Sequence, residues 1–357
     1  MNELWIKEAY QDELPEDFHG GVKWQSPSNI ALVKYWGKQK GLQLPQNPSV
    51  SFTLKSCRTE TAIFFEKSDR FSLHFRFEGK ENYEFQEKIK TFLENNMEYF
   101  PFLNQIDLHI SSHNTFPHSS GIASSASSMS ALMLCLLDIE RMAKGAGEID
   151  MRKASYFSRL ASGSACRSVY PKMALWGATE ACQGSSDEYA VPLEDEIAPV
   201  FKTYHDSILI VSDAKKTVSS RAGHALMDAN PYAPARYETA KKNVSELLKV
   251  LKSGDLDGFI PIVESEAMQL HALMMCSEPS FILMKPNTLR IINTLMEFRK
   301  ETDIPVCFTL DAGPNVHILY PDQHAEMVER FIMDELERYC VEGHWIPDQV
   351  GEGSSRC

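Results

Sequence analysis

Apolar residues recur along this 357-residue chain at two spacings, and the changes of spacing divide it into elements. Residues 30–33 are a short apolar run that reads as a buried strand, and residues 49–54 alternate as a second one. Residues 61–66 and 71–77 flank the polar turn Lys67-Ser-Asp-Arg70, which predicts a hairpin. Phe85, Ile89, Phe92 and Leu93 fall at helical spacing within 81–99. A strand at 106–110 leads through a Ser-rich loop to a buried helix over 129–137, and Gly145-Ala-Gly147 ends that helix. Asp150 is an N-cap for a helix over 151–160. Further on, strands are expected at 207–211, 306–310 and 316–319, and helices at 219–227, 233–251, 256–274, 288–299 and 322–339. The polar first 18 residues read as an arm or edge segment, and Met274 and Met275 as core or pocket wall. This order predicts an α+β protein with an antiparallel sheet backed by helices in its second half. The acidic, Pro-containing stretch 185–199 is the expected boundary between domains 1–197 and 198–357.

Composition narrows the classes. The chain is 43% hydrophobic and 24% charged, an ordinary globular balance. A formal charge of −13 argues against general nucleic-acid or membrane-surface binding, while a local basic cluster can still hold an anionic small molecule. None of the eight cysteines forms a C-x-x-C pair and no signal peptide is visible, which fits reduced thiols in the cytoplasm. No apolar run is long enough for a membrane span.

Five segments carry candidate chemistry. The loop from Asn114 to Ser128, with Gly121, Ser124 and Ser125, lies between a strand and a helix. Small side chains there let backbone N–H groups approach a phosphate. The same loop also reads as a helix start rich in N-cap residues. Lys34 and Lys38 flank Tyr35 and Gly37, as a phosphate grip or as solvated strand-end lysines. Arg167 sits among Ser162, Ser164 and Ser168, placed to grip a carboxylate or phosphate or to tend its own helix terminus. Lys215, Lys216 and Arg221, interleaved with hydroxyls including Ser220, form a second possible anion clamp or a solvated loop. Asp311 closes a strand before Ala-Gly-Pro-Asn, where chemistry or an Asx-turn is equally at home.

Read together, Pro27-Ser-Asn-Ile-Ala-Leu-Val-Lys-Tyr-Trp-Gly-Lys38, Pro117–Ser125, Gly163-Ser-Ala-Cys-Arg-Ser168, Val218-Ser-Ser-Arg221 and Thr309-Leu-Asp-Ala-Gly-Pro-Asn315 resemble the diphosphomevalonate decarboxylase family of the GHMP kinase superfamily, in that family's order. The resemblance implies an N-terminal ribosomal-protein-like α/β sandwich and a C-terminal ferredoxin-like antiparallel sheet with helices, with the active site in the cleft between them. It implies ATP and Mg²⁺, with 5-diphosphomevalonate as substrate and isopentenyl diphosphate, ADP, phosphate and CO₂ as products. It makes Asp311, Lys34 and Arg167 catalytic. It gives Tyr35, Lys38, Ser162, Ser164, Arg167, Ser220 and Arg221 to the substrate, and Gly121, Ser124, Ser125 and Lys215 to ATP. No Mg²⁺ ligand is assigned, and a homodimer is expected. The alternatives are a kinase or decarboxylase of mevalonate or its monophosphate, and a catalytically silent ligand sensor.

Overall fold

In the computed structural model, which describes residues 2–39, 43–117, 122–145, 147–214 and 220–357, residues 2–18 are no free arm. Helix α1 (Asn2–Glu8) buries Trp5, and Leu14 joins it in the same core. The apolar run at 30–33 ends a 15-residue strand, β1 (His19–Val33). Its partner β2 (Ser49–Lys67) is a single 19-residue strand that merges two of the expected ones. The remaining strands of this sheet's first side are β3 (Ser72–Phe77), β4 (Lys80–Glu81) and β5 (Ile106–Asn114), in the order β2-β5-β3-β4. The other end of β2 pairs with β6 (Met173–Trp176), and β6 with β7 (Ala190–Pro192).

The expected 61–77 hairpin does not form. β5 lies between its two arms, antiparallel to β2 and parallel to β3. Ile106, Leu108 and Ile110 of β5 are buried in one cluster with Ile63 and Phe65 of β2 and Leu73 and Phe75 of β3. A central β5 buries all three apolar rows together, and α2 (Tyr83–Glu94) supplies the crossover that a parallel pair needs. Helices α3 (Ser124–Ala143), α4 (Met151–Ala161) and α5 (Ala165–Ser168) contribute to the same core. Asp150 caps α4 as expected, accepting from the N–H groups of Arg152 and Lys153 at 2.8 and 3.3 Å.

After α6 (Pro199–Lys202), the second half builds a four-stranded antiparallel sheet from β8 (His205–Leu209), β9 (Cys307–Leu310), β10 (Val316–Tyr320) and β11 (Trp345–Gln349), in the order β11-β8-β10-β9. Its helices are α7 (Ser220–Ala225), α8 (Ala233–Ser253), α9 (Leu256–Met275), α10 (Pro286–Thr302) and α11 (Ala325–Phe331). Alternation divides the sheet between two cores. Ile208, Cys307 and Leu319 join Ile30, Leu32, Val50 and Phe52 of the large sheet, together with residues of α8 and α9. Leu209, Phe308, Leu310, Val316 and Ile318 pack with Ile291 and Leu295 of α10 and Val328 and Phe331 of α11. One apolar cluster therefore joins the two sheets.

β11, which the hydrophobic pattern did not reveal, ties them further. In the β1–β2 pairing the register jumps from Pro27 opposite Arg58 to Asn29 opposite Thr53, so residues 54–57 bulge out of the ladder. Asp348 of β11 accepts from the freed N–H groups of Lys55, Ser56 and Cys57 at 2.8–2.9 Å. The tail then returns to β1 through β12 (Ser355–Arg356). The single helix expected over 322–339 is instead broken: α11 passes into a π-helical segment, Ile332–Leu336, and a 3-10 turn, Glu337–Tyr339. Val328, Phe331, Ile332 and Leu336 stay buried through the break. Met274 is buried as expected, whereas Met275 is exposed on the outer side of α9.

Candidate active site

The β1–β2 ladder ends at Val33, and the chain carries Lys34, Tyr35, Trp36 and Gly37 inward rather than out to solvent. Lys34 is 1% exposed. Its N–H donates to Glu266 Oε2 at 2.9 Å, its carbonyl accepts from Asn47 at 3.0 Å, and its Nζ donates to the Ala31 carbonyl at 2.6 Å. Burial pushes the ammonium down to about 8, with Asp311 the strongest charge opposing that fall, then Glu266. Arg167 pushes the same way as burial. The solvated-lysine alternative is thereby excluded for Lys34.

Arg167, on α5, is 2% exposed. Its guanidinium does not tend its own helix terminus. Nε and Nη2 donate to Asn29 Oδ1 at 3.4 and 3.2 Å, and Nη1 donates to Ser49 Oγ. Asn29 is aimed in turn by donating to Ser168 Oγ at 2.7 Å and to the Ser164 carbonyl at 3.2 Å. No carboxylate lies within ion-pair distance of Arg167 among the described residues. Burial lowers its pKa, and Asp311 is among the groups that raise it. Asp311 stands just past β9, its backbone carbonyl accepting from His271 Nε2 at 3.1 Å and from the Gly313 N–H at 2.8 Å. Lys34, Arg167 and Asp311, from three separate stretches of chain, thus lie within one another's electrostatic reach.

Tyr35 packs between Trp176 and His224, with ring centroids 4.6 and 4.4 Å away. Its buried hydroxyl has no hydrogen-bond partner among the described residues, and burial raises its pKa. A Cβ on Gly163 would lie 2.9 Å from that hydroxyl, so only glycine lets the Ser162–Ser164 turn pass beneath the ring. Ser162 and Ser164 are both half-buried there. Lys38 is half-buried, its Nζ donating to Gln43 at 2.7 Å. Ser124 and Ser125 open α3, a helix whose N-cap, Ala123, offers no side-chain hydrogen bond. The loop before α3 is held to β1 by Ser28 Oγ, which donates to the Ile122 carbonyl at 2.6 Å, one residue from Asn29. Ser220 is exposed at the start of α7. Gly121 and Lys215 lie outside the described residues, as does the side chain of Arg221.

Several neighbours escaped the sequence reading. Glu266, fully buried on α9, accepts from Lys34 N–H, from Arg236 Nη2 at 2.5 Å and from Asn243 at 2.6 Å. Asn29 lies inside the specific 27–38 run, which was its available signal. Ser49, Asn47, Glu266 and His224 carried none, because each meets the site only through tertiary packing. Among the described residues, the one His/Asp/Glu cluster spaced for a metal is His74, Asp107 and His109, on a partly solvent-exposed patch of β3 and β5. Among the described residues, those around Asp311 form no such cluster.

A two-sheet α+β molecule with buried Lys34 and Arg167 beside a half-buried Asp311, and with a Ser-rich helix start, defines a protein of the GHMP-kinase-like class. The family model of the diphosphomevalonate decarboxylase-like N-terminal domain matches residues 26–190, and that of the mevalonate 5-diphosphate decarboxylase C-terminal domain matches 207–345. A Debaryomyces hansenii diphosphomevalonate decarboxylase is 30% identical over 320 residues, 85% of this chain and 80% of that one. The mevalonate diphosphate decarboxylase of Staphylococcus aureus superposes with a TM-score of 0.81 at 25% identity, over 95% of this chain and 98% of its own. A structure described as MDDEF in complex with MVAPP, AMPPCP and magnesium superposes at 0.79 with 27% identity, over 95% and 99%. The chain belongs to the diphosphomevalonate decarboxylase family.

Proposed function

We propose that this protein catalyses the ATP-dependent decarboxylation of (R)-5-diphosphomevalonate to isopentenyl diphosphate, releasing ADP, phosphate and CO₂. The observation that carries the reading is the buried grouping of Lys34 and Arg167 about Asp311. Two cations are held out of water beside one carboxylate. The substrate of this reaction brings a carboxylate and a hydroxyl that must be addressed together.

The chemistry needs such a site. Loss of CO₂ from a 3-hydroxy acid leaves an electron pair with no acceptor unless the hydroxyl becomes a leaving group. Phosphoryl transfer from Mg²⁺-ATP provides that. Phosphate then departs with the C3–O electron pair, and the pair from the breaking C–C bond forms the new double bond as CO₂ leaves. Asp311 faces the 3-hydroxyl, either taking its proton or countering the positive charge that develops at C3. Both roles need an ionised carboxylate, and Lys34 keeps it so. Arg167, with its fork pre-set by Asn29 and Ser49, holds the substrate carboxylate with Ser162 and Ser164. Tyr35, Lys38, Ser220 and Arg221 hold the diphosphate. Gly121, Ser124 and Ser125 cradle the ATP phosphates at the start of α3, and Lys215 reaches ATP across the cleft between domains 1–197 and 198–357. The uncapped start of α3 supports that placement. The enzyme is a carbon–carbon lyase of the mevalonate pathway and a cytoplasmic homodimer. Its eight free cysteines support a reducing compartment.

The test is one reaction with purified protein, Mg²⁺-ATP and (R)-5-diphosphomevalonate, following ADP and CO₂ together. Matched release is expected. ADP without CO₂ would make the protein a kinase, or an uncoupled ATPase if no 3-phosphorylated product forms. Neither product, also with the monophosphate and free mevalonate, would leave a silent ligand sensor. Sedimentation equilibrium reads the dimer.

A further inference from the structure

Helix α7 begins with Ser220 and Arg221, and one turn later carries a histidine that meets the other end of the site. His224 is 7% exposed. Its Nδ1 accepts from the Gly37 N–H at 2.9 Å. Its ring stacks on Trp36, with centroids 4.6 Å apart and planes 29° apart, and touches the Tyr35 ring at 4.4 Å. Gly223 makes the approach possible, because a Cβ there would lie 2.5 Å from the Trp36 ring. The Tyr237 hydroxyl of α8 also closes on Gly37, 2.1 Å from where a Cβ would stand. Gly37 itself is at φ +99°, which a side chain would strain. The segment that runs from Lys34 to Lys38 is thus pinned at its glycine between α7 and α8.

We propose that His224 is a positioning residue for the diphosphate end of the substrate. It locks the Tyr35–Lys38 segment to α7, so that the two stretches assigned above to the diphosphate act as one pre-organised surface. This rests on that assignment. Ser220 stands four positions, about one turn, before His224 on the same helix. Fixing His224 on Gly37 therefore also fixes where Ser220 and Arg221 start. The acceptor role demands a neutral ring with its proton on Nε2. Burial and the Lys38 charge keep the ring neutral, pushing its pKa down to about 3. A hydrophobic residue of similar size would fill the space between the rings and leave the buried Gly37 N–H unpaired.

Three variants separate these contributions. His224→Phe keeps the aromatic wedge without the acceptor, His224→Asn restores an acceptor near the Nδ1 position, and His224→Leu removes both. For His224→Phe, KM for the diphosphate substrate should rise about tenfold, the worth of one lost hydrogen bond. KM for ATP should stay within about twofold, and His224→Asn should recover most of the loss. Isothermal titration with inorganic pyrophosphate should show the same order of affinities, and it needs no turnover. A wild-type protein that binds pyrophosphate without turning over would remove the decarboxylase reading and leave this one standing. Unchanged pyrophosphate affinity in His224→Phe would overturn the proposal. So would a parallel loss toward ATP with no recovery in His224→Asn, which is the signature of a packing residue, and so would a wild type that does not bind pyrophosphate.

Discussion

Lys34→Met should make the protein more stable at neutral pH while abolishing turnover. Lys34 titrates near 8 rather than at the ordinary 10.5, because burial outweighs the attraction of Asp311 and Glu266. At about 1.4 kcal/mol per pH unit, holding it charged costs about 3 kcal/mol of folding stability. Below pH 8 folded and unfolded chains are both protonated at this site, and the cost is fully present. Between 8 and 10.5 the unfolded chain keeps a proton that the folded one has lost, so stability rises with pH; above 10.5 the cost is gone. Methionine removes the charge and also the bond to the Ala31 carbonyl, worth about 1 kcal/mol. The variant should therefore exceed the wild type by about 2 kcal/mol at pH 7 and fall about 1 kcal/mol below it above pH 10.5. The assay is equilibrium urea unfolding of both proteins from pH 7 to 11. Thiols such as Cys57, Cys135 and Cys166, raised by burial in the folded protein, ionise within this range only in the unfolded chain, and taking the difference between the two proteins cancels their contribution. A difference that stays flat across that range, or a variant less stable at pH 7, would refute the claim that Lys34 is held charged at the expense of stability.

Asp311→Asn should lower turnover by about 10²–10⁴-fold with the fold intact by circular dichroism; near-normal turnover would remove Asp311 from the chemistry. Arg167→Gln should lower kcat as well as raise KM, because the carboxylate must stay aligned while the C–C bond breaks; an effect on KM alone would reduce Arg167 to simple binding. The same change strips Asn29 Oδ1 and Ser49 Oγ of their donor and should cost about 1–3 kcal/mol in urea unfolding. Glu266→Gln leaves Arg236 buried without its counter-charge and should destabilise by about 3–5 kcal/mol; a loss below about 1 kcal/mol would show that Glu266 is not the hub of that network.

Local order was legible in the sequence wherever a signal is local. The α4 cap at Asp150, the helical period of α2 and α8–α10, and the strand runs of β9 and β10 depend on residues a few positions apart. The composite of Lys34-Tyr-Trp-Gly-Lys38 with Asp311-Ala-Gly-Pro-Asn315 named the family, because each run combines residue types that packing alone seldom demands. Tertiary structure decided the rest. Only the folded chain inserts β5 between β2 and β3, since strand order depends on which apolar rows can be buried together and not on which strands adjoin in sequence. It also brings in β11, whose Asp348 satisfies a bulge almost 300 residues earlier. Above all, the charge state and poise of the site belong to the fold. A lysine immediately after a strand reads as solvated until Glu266, 232 positions away, takes its N–H and the surrounding packing excludes water. Burial is a property of the whole assembly, and the electrostatics that make Lys34, Arg167 and Asp311 a site follow from burial.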